Sequence, residues 1–179
     1  MNARERFRDL LQSRAVIHKT VTLASGQTSN YYIDGRMVLM QGESATLLGE
    51  LVYQATKDLQ IQAVGGPETG ALPIATATAM RYFQAGFTIE GFYVRKETKQ
   101  HGLQKRIEGG LPEKARVAIV EDVMTTGKSA LGAVQAVQEA GAQIVAVICI
   151  LDRLQGAREL YTGMGLNFLP LFTIKDLGL

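Results

Sequence analysis

A chain of 179 residues suits one domain with a sizeable core. Its 46% apolar content, 20% charged content and four prolines argue against a disordered or fibrous protein, and a net charge of +2 gives no compositional ground for nucleic-acid binding. One cysteine, Cys149, cannot close an internal disulfide, no apolar run reaches membrane-span length, and the charged start MNARERFRDLLQSR has no signal-peptide core. The expectation is a soluble cytoplasmic protein without membrane contact.

In chain order, the first segment reads as a short amphipathic helix with Phe7, Leu10 and Leu11 on one face. The stretch VTLASGQTSNYYIDGR, residues 21–36, reads as an extended piece, a polar turn and a second extended piece. Residues 43–59 form a helix whose stripe is Leu47, Leu48, Leu51, Val52, Ala55 and Leu59. IQAVGG is a short strand, LPIATATAMRYFQA a helix rich in small residues, and TIEGFYV and RVAIV two more strands. Residues 129–140 form a helix with Leu131, Val134 and Val137 inward. AQIVAVICIL is a fully buried strand, with the thiol of Cys149 an inert part of it. A helix near 154–161 and the strand FLPLFTI close the chain. No repeat or linker divides it. Continuous apolar strands alternating with helices predict an α/β fold with a parallel, doubly wound sheet. Ligands of such sheets bind beyond the carboxyl ends of the strands. Three turns meet there: residues 65–71, residues 121–129 and the segment after Leu151.

Between Val94 and Arg116 the sequence predicts a connection of about twenty residues without secondary structure, long enough to suggest a lid. It carries Arg95, Lys96, Lys99, Lys105 and Arg106 together with His101, one of two histidines.

The chemistry concentrates in VAIVEDVMTTGKSA, residues 117–130. A nucleotide-triphosphate loop needs glycine five residues before Gly127, and Asp122 stands there. No Gly-x-Gly-x-x-Gly follows a predicted strand, so a dinucleotide site is disfavoured as well. The residues instead place Glu121 and Asp122 at the carboxyl end of a strand, followed by a turn from Thr125 into a helix. Unpaired N–H groups at a helix start attract a phosphate monoester, Gly127 allows close approach, and the hydroxyls of Thr125, Thr126 and Ser129 add donors. Carboxylates so near a phosphate must face something else, and a vicinal diol suits them. Diol and phosphate together describe a ribose 5-phosphate. The alternative is an acidic strand end followed by an ordinary helix cap at Ser129.

This stretch resembles the phosphoribosyl pyrophosphate signature of type I phosphoribosyltransferases. TLASGQTSNYYIDGR resembles the N-terminal segment of orotate phosphoribosyltransferases, RKETKQHG their catalytic loop, and LDR after the buried strand their arginine site. The resemblance implies a type I phosphoribosyltransferase fold: one domain over 1–179, a mostly parallel sheet flanked by helices, and a small N-terminal hood over about 1–40. It implies transfer of the phosphoribosyl group from phosphoribosyl pyrophosphate to orotate, giving orotidine 5′-monophosphate in pyrimidine biosynthesis. Lys99, His101 and Asp122 are then the catalytic residues. Arg95, Lys96, Lys99, His101, Glu121, Asp122, Val123, Met124, Thr125, Thr126, Gly127, Lys128 and Ser129 are expected to hold phosphoribosyl pyrophosphate. Ser25, Gly26, Tyr31, Tyr32, Thr125 and Arg153 are expected at orotate, and Gly66, Glu68, Thr69, Gly70 and Ala71 at the pyrophosphate. Ala24 and Gly70 stand where many relatives carry lysine. The family pattern further implies Mg²⁺ held mainly by the substrate, with no dedicated protein cage, and a homodimer in which Arg95 or Lys96 acts on the neighbouring site.

The residues support orotate independently. A flat anion needs a planar slot and a forked cation, which Tyr31, Tyr32 and Arg153 can supply. Core packing explains the tyrosines equally well, and a surface ion pair would explain Arg153. A purine phosphoribosyltransferase would share the acid-pair turn and lack the RKETKQHG lid. A regulator that binds phosphoribosyl pyrophosphate without turnover would need a nucleic-acid-binding appendage, for which the chain has no room.

Overall fold

The computed structural model of the chain describes residues 2–22, 28–96 and 106–179. Helix α1 (Ala3–Leu10) starts with a capping box between Asn2 and Glu5 and buries Phe7 and Leu10. Four two-residue strands then form two small antiparallel pairs: β1 (Val16–Ile17) with β4 (Tyr32–Ile33), and β2 (Val21–Thr22) with β3 (Thr28–Ser29). Helices α2 (Arg36–Leu39) and α3 (Gly42–Thr56) follow. The predicted helix 43–59 ends in a separate 3₁₀ turn, Lys57–Leu59, and Gln60 closes it in the left-handed region.

The rest is the expected alternation: β5 (Ala63–Pro67), α4 (Ala71–Gln84), β6 (Glu90–Val94), β7 (Ile107–Gly109), β8 (Arg116–Met124), α5 (Lys128–Glu139), β9 (Gln143–Asp152), α6 (Ala157–Gly163) and β10 (Phe168–Thr173). The six-stranded sheet runs β10-β9-β8-β5-β6-β7, parallel throughout except for β7. Alternate residues of the central strands face opposite cores. Ala118, Val120, Ile148 and Ile150 pack with α1, α3 and α4, whereas Val117, Ile119, Val147 and Cys149 pack with α5 and α6. Each valine or isoleucine among them, fully buried, contributes about 1.5–3 kcal/mol, and burial on both faces explains the unbroken apolar runs.

Three sequence expectations change. Leu131, predicted inward, is only partly buried; Ala130, Ala133, Ala136, Val134 and Val137 make the α5 seam. The connection after Val94 is not structureless, because β6 and β7 pair as an antiparallel ribbon, Val94 opposite Ile107. The last helix starts at Ala157 rather than near Leu154, which itself adopts a positive φ of 57°.

The N-terminal elements share the core of the sheet. Phe7 stacks on Phe172 of β10 at 5.8 Å between ring centres, and Leu11, Ala15, Ile33, Val38 and Leu39 belong to the same buried cluster as Ile148 and Ile150. That packing sets the segment around Tyr32 over the carboxyl ends of the strands.

Candidate active site

From β5 the chain proceeds through β6 and β7 to one edge of the sheet, and from β8 through β9 and β10 to the other. The strand order therefore reverses between β5 and β8, and such a switch point opens a crevice beyond the strand ends. The turn after β5 and the turn after β8 both lie there. A cavity of about 540 Å³ occupies it, lined by Glu68, Thr69 and Gly70 from the first turn and Glu121, Asp122, Val123 and Ser129 from the second. Tyr32, Asp34 and Arg36 close one side and Lys96 another.

The acid pair does not follow its strand; it belongs to it. β8 continues to Met124, pairing Glu121 with Cys149, Val123 with Leu151 and Met124 with Asp152. Glu121 is 6% exposed and receives the Ser129 hydroxyl at Oε2, 3.2 Å away. Burial first, and the negative charge of Asp122 second, push its carboxyl up to about 8. Asp122 is half-buried, accepts the Val123 N–H at 2.8 Å, and packs so closely on the other wall that a methyl at Gly70 would come within 2.8 Å of its Oδ1.

The turn from β8 into α5 leaves room for close approach. Gly127 caps α5 with a φ of 79°, and no side chain caps the helix, Ser129 included. Among the described residues, the N–H groups at the start of α5 thus have no side-chain acceptor. Any side chain at 127 would also meet the Tyr161 ring at 2.9 Å. The Tyr161 hydroxyl holds the turn by donating to the Gly127 carbonyl at 2.6 Å. Near the end of β5, a methyl on Gly66 would lie 2.0 Å from the Val120 carbonyl oxygen, so glycine there lets β5 and β8 lie together. The Glu68–Thr69 peptide bond is cis. Glu68 accepts the Lys96 N–H at 2.9 Å, tying this turn to the root of the β6–β7 ribbon.

Arg153 follows β9, 9% exposed, with its guanidinium 5.5 Å from the centre of the Tyr31 ring. Its backbone N–H donates to the Met124 carbonyl at 2.8 Å, and its Nε has no hydrogen-bond partner among the described residues. A buried guanidinium with an unspent donor beside an aromatic face suits a planar anion better than a surface ion pair does.

The phosphoribosyl transferase domain family matches residues 36–164. Orotate phosphoribosyltransferase of Streptomyces coelicolor is 44% identical over 170 residues, covering 94% of this chain and 93% of that protein. Orotate phosphoribosyltransferase of Corynebacterium glutamicum is 42% identical over 179 residues, covering 100% and 96%. The Mycobacterium tuberculosis orotate phosphoribosyltransferase, solved in complex with 5-phospho-alpha-D-ribosyl 1-diphosphate, superposes with a TM-score of 0.85 at 36% identity, covering 99% of this chain and 100% of that one.

The chain belongs to the orotate phosphoribosyltransferases.

As an orotate phosphoribosyltransferase, the chain brings nine of its sequence-predicted positions to one crevice. Tyr32, Glu68, Thr69, Gly70, Lys96, Glu121, Asp122, Val123 and Ser129 share the cavity. Thr125, Thr126 and Gly127 form the turn from β8 into α5, Lys128 is the first residue of that helix, and Tyr31 and Arg153 meet beside it. Gly66, in β5, and Ala71, the first residue of α4, are buried on either side of the turn between those elements. Arg95 stands at the end of β6, its N–H bonded to the Arg106 carbonyl. Met124 differs from the rest: its side chain is wholly buried in the core and its carbonyl is spent on Arg153. The expected positions Ser25, Gly26, Lys99 and His101 lie outside the described residues, as does Ala24. Asp34, Gly35, Arg36 and Pro67 line the cavity without having been singled out in the sequence. The sequence held no more than a local hint of the first three, an acid and an arginine two residues apart shortly after the aromatic pair, and nothing in that pattern places them over the crevice.

Proposed function

We propose that this crevice carries out the orotate phosphoribosyltransferase reaction. Orotate displaces pyrophosphate from C1 of the ribose, and orotidine 5′-monophosphate forms. The observation that carries the reading is the single cavity joining the acid pair to the pyrophosphate turn across the switch point. The start of α5 would receive the 5′-phosphate, with Thr125 and Thr126 as further donors. Asp122 and Glu121 would accept from the ribose hydroxyls, and the backbone of residues 66–71 would cradle the pyrophosphate. Tyr31, Tyr32 and Arg153 would flank and pair the flat, anionic base, with Ser25 and Gly26 presenting main-chain groups to its ring.

The transition state gathers positive charge on the sugar and negative charge on the leaving oxygen, so catalysis asks for positioning and fixed charges rather than a covalent nucleophile. Asp122 faces the first charge. Lys99 and His101, borne by the connection between β6 and β7, would face the second and exclude water. Mg²⁺ fits as an ion carried by the substrate: among the described residues no group of three acidic or histidine side chains is placed to hold a metal, while the Asp122 carboxylate lines the cavity and a hard cation takes oxygen ligands. Bound chiefly by pyrophosphate and ribose oxygens near Asp122, it would offset the charge of the leaving group.

The same reading proposes one domain over the whole chain, residues 1–40 forming its hood, acting as a homodimer in the cytoplasm. An apolar groove of about 470 Å³ adjoins the cavity, lined by Leu39, Met40, Ala45, Leu72, Pro73 and Met80. Met40 there is 78% exposed, and an apolar surface of this kind favours a partner subunit. A reducing compartment suits Cys149, whose thiol is buried and pushed well up by that burial. No helix among the described residues is long and apolar enough to cross a membrane.

The test is base selectivity. With phosphoribosyl pyrophosphate and Mg²⁺, orotate absorbance is expected to fall, while adenine, hypoxanthine and uracil give no nucleotide. Turnover of a purine in place of orotate would move the chain's activity to the rival class.

A further inference from the structure

The pyrophosphate turn carries no cation of its own, since residues 66–71 read Gly-Pro-Glu-Thr-Gly-Ala. Four described side chains lining the cavity are acidic: Asp34, Glu68, Glu121 and Asp122. Only Lys96 and Arg36 are cationic among those described. Lys96 belongs to the root of the β6–β7 ribbon. Arg36 stands on the opposite element, at the start of α2, and it lines both the cavity and the apolar groove, together with Thr69 in each.

Arg36 is also oriented. Its Nε and Nη2 donate to the two oxygens of Asp34 at 2.9 and 3.0 Å, and its backbone N–H reaches Oδ1 at 3.2 Å. The Asp34–Arg36 turn lies directly against the acid pair, because a methyl at Gly35 would come within 3.1 Å of Asp122 Oδ2. A guanidinium has five N–H donors in a rigid fork, so binding Asp34 along one edge leaves the Nη1 edge for a second acceptor. The Arg36 side chain is 58% exposed and that of Asp34 20%. Ion pairs so open to water contribute little to stability, so the fold itself gives a weak reason for this one.

We propose that Arg36, oriented by Asp34, binds the pyrophosphate group of the substrate at the Thr69 edge of the cavity. The proposal rests on the phosphoribosyltransferase reading above and adds to it a residue from the N-terminal segment. The bidentate pair holds the fork in place before the anion arrives, which lowers the entropy cost of forming the contact. Lysine, a flexible point charge, would reproduce the attraction without the geometry.

The experiment compares the parent enzyme with Arg36→Ala, Arg36→Lys and Asp34→Asn, in the forward direction and in pyrophosphorolysis of orotidine 5′-monophosphate. Arg36→Ala is expected to raise KM for phosphoribosyl pyrophosphate and for pyrophosphate about tenfold or more, the loss of one charge-assisted contact. KM for orotate and for orotidine 5′-monophosphate should change less than about twofold. Arg36→Lys should recover part of the loss, and Asp34→Asn should show a smaller loss on the same two substrates. Unchanged KM for both phosphate substrates would overturn the proposal. An equal rise for all four substrates with a lowered Tm would also overturn it, since a merely structural residue acts that way. Calorimetric titration of Mg-pyrophosphate into the parent and Arg36→Ala separates this inference from the activity. If the parent fails to convert orotate, the activity reading falls, yet a binding constant weakened in the variant still upholds the anion contact and an identical one still removes it.

Discussion

Asp122→Asn is expected to lower kcat/KM for phosphoribosyl pyrophosphate by about ten- to a hundredfold, the worth of one charge-assisted hydrogen bond lost from the transition state. The substitution isolates charge from shape. Asparagine keeps an oxygen for the Val123 N–H, which Asp122 accepts at 2.8 Å, and it keeps the volume that packs against Gly35 and Gly70. The turn should therefore persist, with Tm close to that of the parent. On the proposed reading, what disappears is a half-buried negative charge that would face a sugar ring becoming positive as pyrophosphate leaves. Substrate titration against both phosphoribosyl pyrophosphate and orotate reads the result. Parental kinetics would return Asp122 to a structural role at the strand end.

The second large effect concerns stability and pH. Glu121 is buried beside Asp122, and its carboxyl is pushed up to about 8 from an ordinary 4.5, by desolvation first and the neighbouring charge next. Between those two values the folded protein keeps a proton that the unfolded chain has released. The contribution of Glu121 to stability is therefore complete below about pH 4.5 and is lost as pH rises through about 8. At roughly 1.4 kcal/mol per pKa unit, the free enzyme should lose on the order of a few kcal/mol of stability between about pH 5 and pH 8. Glu121→Gln, neutral at every pH and still able to accept the Ser129 hydroxyl, should flatten that slope. Carboxyls such as Asp34 and Asp176, held below their usual range by hydrogen bonds to Arg36 and Thr173, act in the opposite sense only at lower pH. Denaturation of the parent and Glu121→Gln across this range decides the matter; parallel pH profiles would mean that Glu121 titrates normally. Such a cost at neutral pH is the kind of local destabilisation found at sites shaped for a ligand.

The sheet was legible because its strands are buried on both faces. AQIVAVICIL became β9, and the two-sided apolar environment of β8 made RVAIV a strand for the same reason. Its true end was not legible. Glu121 and Asp122 look like a terminus to any rule that expects apolar strand residues, but pairing with β9 carries the backbone on to Met124. Strand β7 was hidden differently. Ile107–Gly109 contains one apolar side chain, and its place is fixed by pairing with β6 across residues distant in sequence. The turn from β8 into α5 and the glycine-rich turn after β5 could be placed because each is a local pattern. The contribution of Asp34 and Arg36 could not, since nothing local says that a two-residue pairing of β1 with β4 sets them over a crevice built some thirty to ninety residues later. Leu131 was a periodicity error: the alanines, not the leucine, form the α5 seam, because small residues let the helix lie close to the sheet.

The most direct measurement is a crystal structure of this chain with phosphoribosyl pyrophosphate. The 5′-phosphate should lie on the N–H groups of residues 125–129, with both ribose hydroxyls turned to Glu121 and Asp122 and the pyrophosphate along residues 66–71. A well-occupied ligand bound elsewhere, with the turn from Thr125 into α5 left bare, would contradict the assignment on which all of this chemistry depends.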